Sequence, residues 1–247
     1  MKPCLLVPIY NHKDTIAGLL RSLGPVGLPA LVVDDGSDDA TRRVLHELAR
    51  ELPWVEVTRL PENRGRGAAL RCGYRRAAAR QFSHVIQLDA DGQHDPGDVP
   101  RFLEAARRAP GAMVLGTPVF DASAPASRVY GRQLSRVIVW AETLTRAIDD
   151  PLCGFRCLPL EPTVRLIDRV RLGDRMEFDP ELVVRLVWDG VPVVNLPTRV
   201  RYFPGGLSHF DFVGDNARIA WTYLRLAVAL LPRLPGRIAG VAAPARR

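Results

Sequence analysis

Apolar residues gather in short runs along the first half of the chain, at residues 4–8, 30–33, 55–60, 84–88 and 112–115. Between the runs lie segments 15–23, 41–52, 67–80 and 99–108, which read as helices. Strand and helix repeated in this way predict an α/β fold: a Rossmann-like, mostly parallel sheet with helices on both faces. The second half is less regular. A helix is expected over 128–147, then a loop rich in Pro, Cys and Gly, "DDPLCGFRCLP" at 149–159. A helix over 179–188, a strand over 193–202, the segment "FPGGLSHFDF" and a last helix over 216–231 follow. Ligands of open α/β sheets bind beyond the C-terminal strand ends. Polar clusters fall there: Tyr10 and Asn11 after the first run, "DDGSDD" after the second, "DADGQ" after the fourth.

The sharpest of these is "HVIQLDADGQHDP" at residues 84–96, where a strand-like run ends in Asp89 and Asp91. Alternation along an extended chain puts both carboxylates on one side, where they repel. A positive group between them, or a proton on one, relieves this. A solvated turn is one reading. The other is a divalent cation held by Asp89 and Asp91, its remaining positions filled by diphosphate oxygens and water. Mg²⁺ or Mn²⁺ suits all-oxygen coordination, and Gln93 can add an amide oxygen. In "VVDDGSDDAT" at 32–41, Asp38 and Asp39 read as helix caps and Gly36 as a turn residue. Asp34 and Asp35 stand at the strand edge, where a carboxylate can accept from a nucleobase N–H or ribose hydroxyls. "NRGRGAALRCG" at 63–73 places Gly65 and Gly67 at a tight entry to a helix. It is neither a dinucleotide fingerprint nor a P-loop.

A chain of 247 residues can bury a full core, and its 47% hydrophobic and 25% charged content is that of a globular protein. Of its 34 positive residues all but Lys2 and Lys13 are Arg, as a GC-rich genome would write them. The net charge of +7 is uneven: from Arg199 onward eight Arg stand against Asp211 and Asp215, so the body is near neutral and the tail basic. Such a tail suits anionic lipid, nucleic acid or an acidic partner. Cys4, Cys72, Cys153 and Cys157 lack metal-site spacing, and Met1 leads straight into the first run without a signal peptide. Reduced thiols and a cytoplasmic location are therefore expected. No run reaches the roughly 20 apolar residues of a spanning helix.

"VPIYN", "VVDDGSDDAT", "NRGRGAA", "LDADGQHDP" and "DPLCGFR", in this order and spacing, resemble the family 2 glycosyltransferases, and among them the polyprenyl-phosphate (dolichol-phosphate-mannose-synthase-like) sugar transferases. The resemblance covers roughly residues 3–210. It implies a GT-A fold, a nucleotide-sugar donor, a divalent metal and inversion at the anomeric carbon. Carried over by position, Pro8, Tyr10 and Asp35 line the nucleoside, with Asn11, His12 and Gly67 beside the donor. Asp89 and Ala90 touch ribose and diphosphate, while Asp91 and Gln93 complete the metal site with Asp89. Asp150 and Arg156 face sugar, diphosphate and acceptor, and Glu181 matches a Glu of the subgroup. The chain departs from the pattern at His12, where the subgroup has Glu, at Cys153, which replaces Ser, and at "GGLSHF", where His209 stands for Lys. His209 has three readings: a structural loop histidine, a diphosphate contact or a metal ligand.

The implied reaction is attack of an acceptor oxygen on the anomeric carbon as nucleoside diphosphate leaves, with Asp91, Asp150 and Arg156 as the catalytic set. A metal at Asp89 and Asp91, with Arg156, stabilises the leaving charge. A lipid-phosphate acceptor is already anionic near neutral pH, whereas a hydroxyl of a glycan or glycolipid needs a base, for which Asp150 is the first choice. A nucleotidyltransferase would begin with a Gly-rich loop and Lys, which "VPIYNHKDT" lacks. A non-catalytic basic nucleotide- or nucleic-acid-binding protein explains the tail but not the motifs, and nucleic acid is not expected as a partner. The expected organisation is a glycosyltransferase domain over 1–210, with a nucleotide-binding half at 1–117 and an acceptor half at 118–210. A basic amphipathic helix and tail at 211–247 would follow. On that helix Arg218, Thr222 and Arg225 form a narrow polar stripe beside a broad apolar face. It is expected to lie on an anionic membrane surface, the inner face of the cell membrane in the cell envelope, or to pack on the domain or a partner copy in a homo-oligomer.

Overall fold

The computed structural model describes residues 1–120, 126–201 and 211–234. β1 (Pro3–Ile9) runs through the middle of a seven-stranded sheet, and its side chains alternate between two cores. Cys4 and Leu6 enter one hydrophobic cluster; Leu5, Val7 and Ile9 enter the other. Burial on both faces is what a continuous apolar run requires, and it is why these runs do not alternate with polar residues. β2 (Ala30–Asp34) pairs parallel to one side of β1 and β4 (His84–Gln87) parallel to the other, and β3 (Val55–Arg59) pairs parallel with β2 at the sheet edge.

The connecting helices follow from their apolar spacing. α1 (Lys13–Leu23), α2 (Asp39–Glu51) and α4 (Val99–Arg108) cover one face. α4 buries Val99, Phe102, Leu103 and Ala106, positions three and four apart on one side of a helix. Asp38 caps α2, accepting from the Thr41 N–H at 2.7 Å, as its sequence position suggested. α3 (Arg66–Ala79) covers the other face.

The second half departs from the expected plan. β5 (Met113–Phe120) is followed by α5 (Ala126–Thr143), and residues 156–159, expected as loop, form β6 (Arg156–Pro159). β6 inserts between β4 and β5, antiparallel to both, and all four of its residues are buried. Then come α6 (Leu160–Arg169), for which no element was expected, α7 (Phe178–Trp188), and β7 (Val193–Val200), parallel to β5. The last helix, α8 (Phe212–Leu230), places Ile219, Tyr223 and Leu226 in the same core as α3, α6 and α7. Its expected polar stripe turns toward the body: Thr222 is buried, and Arg225 Nη2 pairs with Glu181 Oε2 at 3.1 Å. The water-facing side carries Trp221, Leu224 and Val228 instead.

Candidate active site

The C-terminal ends of β1, β2 and β4 open on one side of the sheet, and the polar clusters follow them. After β1, Asn11 adopts a left-handed φ of 55°. Its N–H donates to Ser37 Oγ at 3.0 Å, and its Oδ1 accepts from the Asp38 N–H at 2.8 Å. Asn11 thus ties the first cluster to the second. Pro8 lies within β1 opposite Val33, Tyr10 follows the strand half-buried, and His12 stands at the entry to α1, its carbonyl accepting from Ile16 at 3.2 Å. Asp34 pairs with Arg59 and accepts from the Ser37 N–H at 2.9 Å. Asp35 accepts from the Arg64 and Gly65 N–H groups at 2.9 and 2.8 Å, anchoring the entry to α3. Gly67 lies so close to the 173–178 loop that a Cβ there would come within 2.6 Å of Phe178 Cβ and 2.7 Å of the Gly173 oxygen.

Asp89, Ala90, Asp91 and Gln93 follow β4 as one loop. Thr15 of α1 pins it, its Oγ1 donating to the Ala90 oxygen at 2.6 Å, and the Gln93 N–H donates to Asp91 Oδ1 at 3.0 Å. The Arg201 N–H donates to the Gln93 oxygen at 3.0 Å, so the chain leaves β7 against this loop. His209, a few residues further on, lies outside the described residues.

Behind the loop runs a row of charges of alternating sign. Arg156 Nη1 meets Asp179 Oδ1 at 3.2 Å, Arg66 Nε donates to Asp179 Oδ2 at 2.7 Å, and Arg66 forms an ion pair with Asp89. Arg156 is fully buried and also donates through Nε to the Cys153 oxygen at 3.0 Å, which fixes the loop before β6. Burial alone would raise the Asp179 pKa, but Arg156 and Arg66 bring it below the ordinary carboxylate value. Burial likewise opposes the Arg66 charge, and Asp179 and Asp89 outweigh it. Arg66, Asp179 and His94 were not among the expected site residues. His94 is buried, its Nε2 lies 3.9 Å from Asp89 Oδ2, and its Nδ1 has no hydrogen-bond partner. Burial pushes its pKa down to about 4 against the pull of Asp89, so the ring is neutral near pH 7.

Asp150 is buried and held on both oxygens by Arg132 of α5, at 2.9 and 2.8 Å, and accepts from the Leu152 N–H at 2.8 Å. Glu181 faces away from this cluster, toward other partners. Its Oε1 accepts from Arg185 Nε at 3.0 Å, and its Oε2 from the Gly173 N–H and Arg225, each at 3.1 Å.

Asp89, Asp91 and the amide oxygen of Gln93 are hard donors of the kind Mg²⁺ or Mn²⁺ takes. Among the described residues no three His, Cys, Asp or Glu side chains form a complete ligand set. An ion held by these donors would take its other partners from ligand oxygens or water. At the site's centre, carboxylates and buried guanidiniums border a loop at the strand ends, where open α/β sheets bind their ligands.

Residues 4–159 match the model of glycosyl transferase family 2, and the chain belongs to that family. It is 33% identical, over 87% of its length and 83% of the relative's, to polyprenol monophosphomannose synthase of Mycolicibacterium smegmatis. It is 30% identical, over 80% and 82%, to undecaprenyl-phosphate mannosyltransferase of Micrococcus luteus. Among solved structures it resembles glucosyl-3-phosphoglycerate synthase from Mycobacterium tuberculosis, in complex with Mn²⁺, UDP-glucose and phosphoglyceric acid. The TM-score is 0.67 at 21% identity, covering 92% of this chain and 79% of that one. At that identity the likeness concerns the fold.

Proposed function

We propose that the chain transfers a sugar, with inversion, from a nucleoside-diphosphate sugar to a polyprenyl-phosphate acceptor. The observation that carries the choice of acceptor is the pairing of Asp150 with Arg132. Both carboxylate oxygens already accept from Arg132 Nη1 and one also from the Leu152 N–H, so Asp150 is committed to fixed donors rather than turned toward an acceptor hydroxyl, which suits an acceptor that attacks already ionised. A phosphate monoester does so, its second pKa being about 6. The names of the two curated relatives, both transferases of lipid phosphates, support the same acceptor.

In this reading the first two strand ends receive the nucleoside, with Pro8, Tyr10 and the Asp35-anchored loop around it. Asp89, Asp91 and Gln93 would hold a divalent ion, which supplies charge to the leaving diphosphate. The Mn²⁺ in the solved relative supports a metal of this kind. Arg132, on the helix facing Asp150, receives the acceptor phosphate, while Arg156 acts through Asp179 and the Cys153 carbonyl to hold the loop in place. The membrane-contacting surface combines α8, beyond residue 210, with α5 of the catalytic part. α8 and α5 would lie against the anionic cytoplasmic face of the cell membrane, where a lipid-linked acceptor is presented.

The test is transfer of radiolabelled sugar from UDP- and GDP-sugars into a butanol-extractable product, with polyprenyl phosphate and polyprenol compared as acceptors. Product is expected with the phosphate alone, and lost in excess chelator. Transfer to the alcohol at an equal rate would overturn the acceptor, and full activity in chelator would overturn the metal.

A further inference from the structure

In this structure the charge that offsets Asp89 is Arg66. The guanidinium stands at the first residue of α3, and its side chain is only 14% exposed. Nε is anchored on Asp179 at 2.7 Å, one terminal nitrogen pairs with Asp89, and the other, Nη2, is buried with no hydrogen-bond partner. Gly154 seals the pair from the far side: a Cβ on it would fall 2.1 Å from Asp89 Oδ2 and 2.8 Å from Arg66 Nη2. The row Arg156, Asp179, Arg66, Asp89 is neutral as it stands.

We propose that Arg66 is a resident counter-cation that keeps a divalent ion off Asp89 until the ion arrives together with a nucleoside diphosphate. An ion placed on Asp89 beside Arg66 would set two cations side by side in a site partly shielded from water, where their repulsion is strong. A diphosphate removes that obstacle, because it brings negative charge for both cations and gives Nη2 the acceptor it lacks. The Nε contact with Asp179, itself fixed by Arg156, serves as a pivot, so the guanidinium can leave Asp89 without leaving the site. Metal and nucleotide binding are then coupled, each raising the affinity for the other by the same factor. The inference rests on the metal reading proposed above.

The experiment measures Mn²⁺ binding, by the electron-paramagnetic-resonance signal of free Mn²⁺, with and without UDP or GDP. Wild type is expected to bind Mn²⁺ about 10-fold or more tightly with a diphosphate than without. Arg66→Gln should lose most of that difference because its nucleotide-free affinity rises, while Arg66→Lys, which keeps the charge, should retain it. Arg66→Met, a second uncharged side chain of similar reach that also leaves the buried Arg156–Asp179 pair intact, should behave as Arg66→Gln does, so the measurement survives if one neutral variant folds poorly. Equal wild-type binding with and without nucleotide, or unchanged dependence in both neutral variants, would overturn the counter-cation role alone. Absence of Mn²⁺ binding by every form, with either diphosphate, would overturn the metal reading and the inference with it.

Discussion

Asp150 and Arg132 are a buried pair whose two members answer to different tasks, and a single substitution separates them. Replacing Asp150 by Asn removes from Arg132 a carboxylate that meets it at 2.8 Å in a largely buried setting, beside the Phe120 ring. Stability should fall by ~1–3 kcal/mol, less than for a fully buried pair because Arg132 retains some solvent. For a phosphate acceptor, kcat of Asp150→Asn should fall less than ~10-fold, since no proton is taken in the transfer step. Loss of a general base would instead cost ~10²–10⁴-fold. Steady-state kinetics with polyprenyl phosphate separate the cases, and a loss in the larger range would assign proton transfer to Asp150. At this scale the sequence told of Asp89, Asp91 and Asp150 because short motifs carry them. Arg66 stands inside "NRGRGAA" and Asp179 two residues before Glu181, but they are 113 positions apart, and nothing local to either says that they meet. His94 was hidden for a similar reason: its burial depends on Phe155, against which its ring packs edge-on, and on Val200.

Among the elements, those with strong periodicity were legible. Strands buried on both faces and helices with a one-sided apolar stripe announce themselves, so β1 to β5 and α1 to α4 matched their expected positions to within a few residues. β6 did not, being four residues long, beginning with an arginine and ending in a proline. Its Arg156 belongs in a core strand only because Asp179 of α7 neutralises it there. α6 was masked by Pro162, which a helix tolerates in its first turn. The helices of the second half also carry a cost that periodicity does not reveal. Glu142 of α5 is buried with neither carboxylate oxygen hydrogen-bonded, and burial pushes its pKa up to about 8. A folded pKa above the unfolded value means that the folded state holds a proton the unfolded chain releases. Stability from this group is full below about 4.5 and is lost progressively as pH rises to about 8. Glu142→Gln, which cannot ionise, should therefore gain on wild type across that window and level off above it. The advantage at the plateau should be ~1–3 kcal/mol. Melting temperatures of both proteins from pH 4 to 9 check it, and parallel curves would show that Glu142 is not buried as a neutral acid.

One side of the molecule carries two exposed apolar stripes. α8 exposes Trp221, Leu224 and Val228 on the face opposite its core contacts, with Trp221 61% exposed. α5, packed beside it, exposes Tyr130, Leu134 and Val137. These positions repeat three and four apart, so each helix offers a continuous stripe. Arginines flank the stripes: Arg136 and Arg146 lie over the Trp140 ring, and Arg233 over that of Trp188. Apolar side chains bordered by guanidiniums suit the boundary of an anionic bilayer, where the stems stay in the acyl region and the charges reach the headgroups. No helix among the described residues is long and apolar enough to cross a membrane. α8, at 19 residues, would extend ~28 Å and is held on one side by the core. It can lie along a surface but not leave the domain, so removing it would damage the fold and would be a poor test. Surface substitutions are better. Wild type should sediment with phosphatidylglycerol vesicles, less with phosphatidylcholine, and progressively less as salt rises. Trp221→Glu/Val228→Glu should lose vesicle binding by at least ~10-fold while keeping the circular dichroism and melting temperature of wild type. Transfer to a water-soluble short-chain polyprenyl phosphate should survive in that variant, because Arg132 and the strand-end loops are untouched. Wild type that ignores vesicles and instead dimerises with increasing concentration, in a manner the same substitutions abolish, would assign this face to a second copy of the chain.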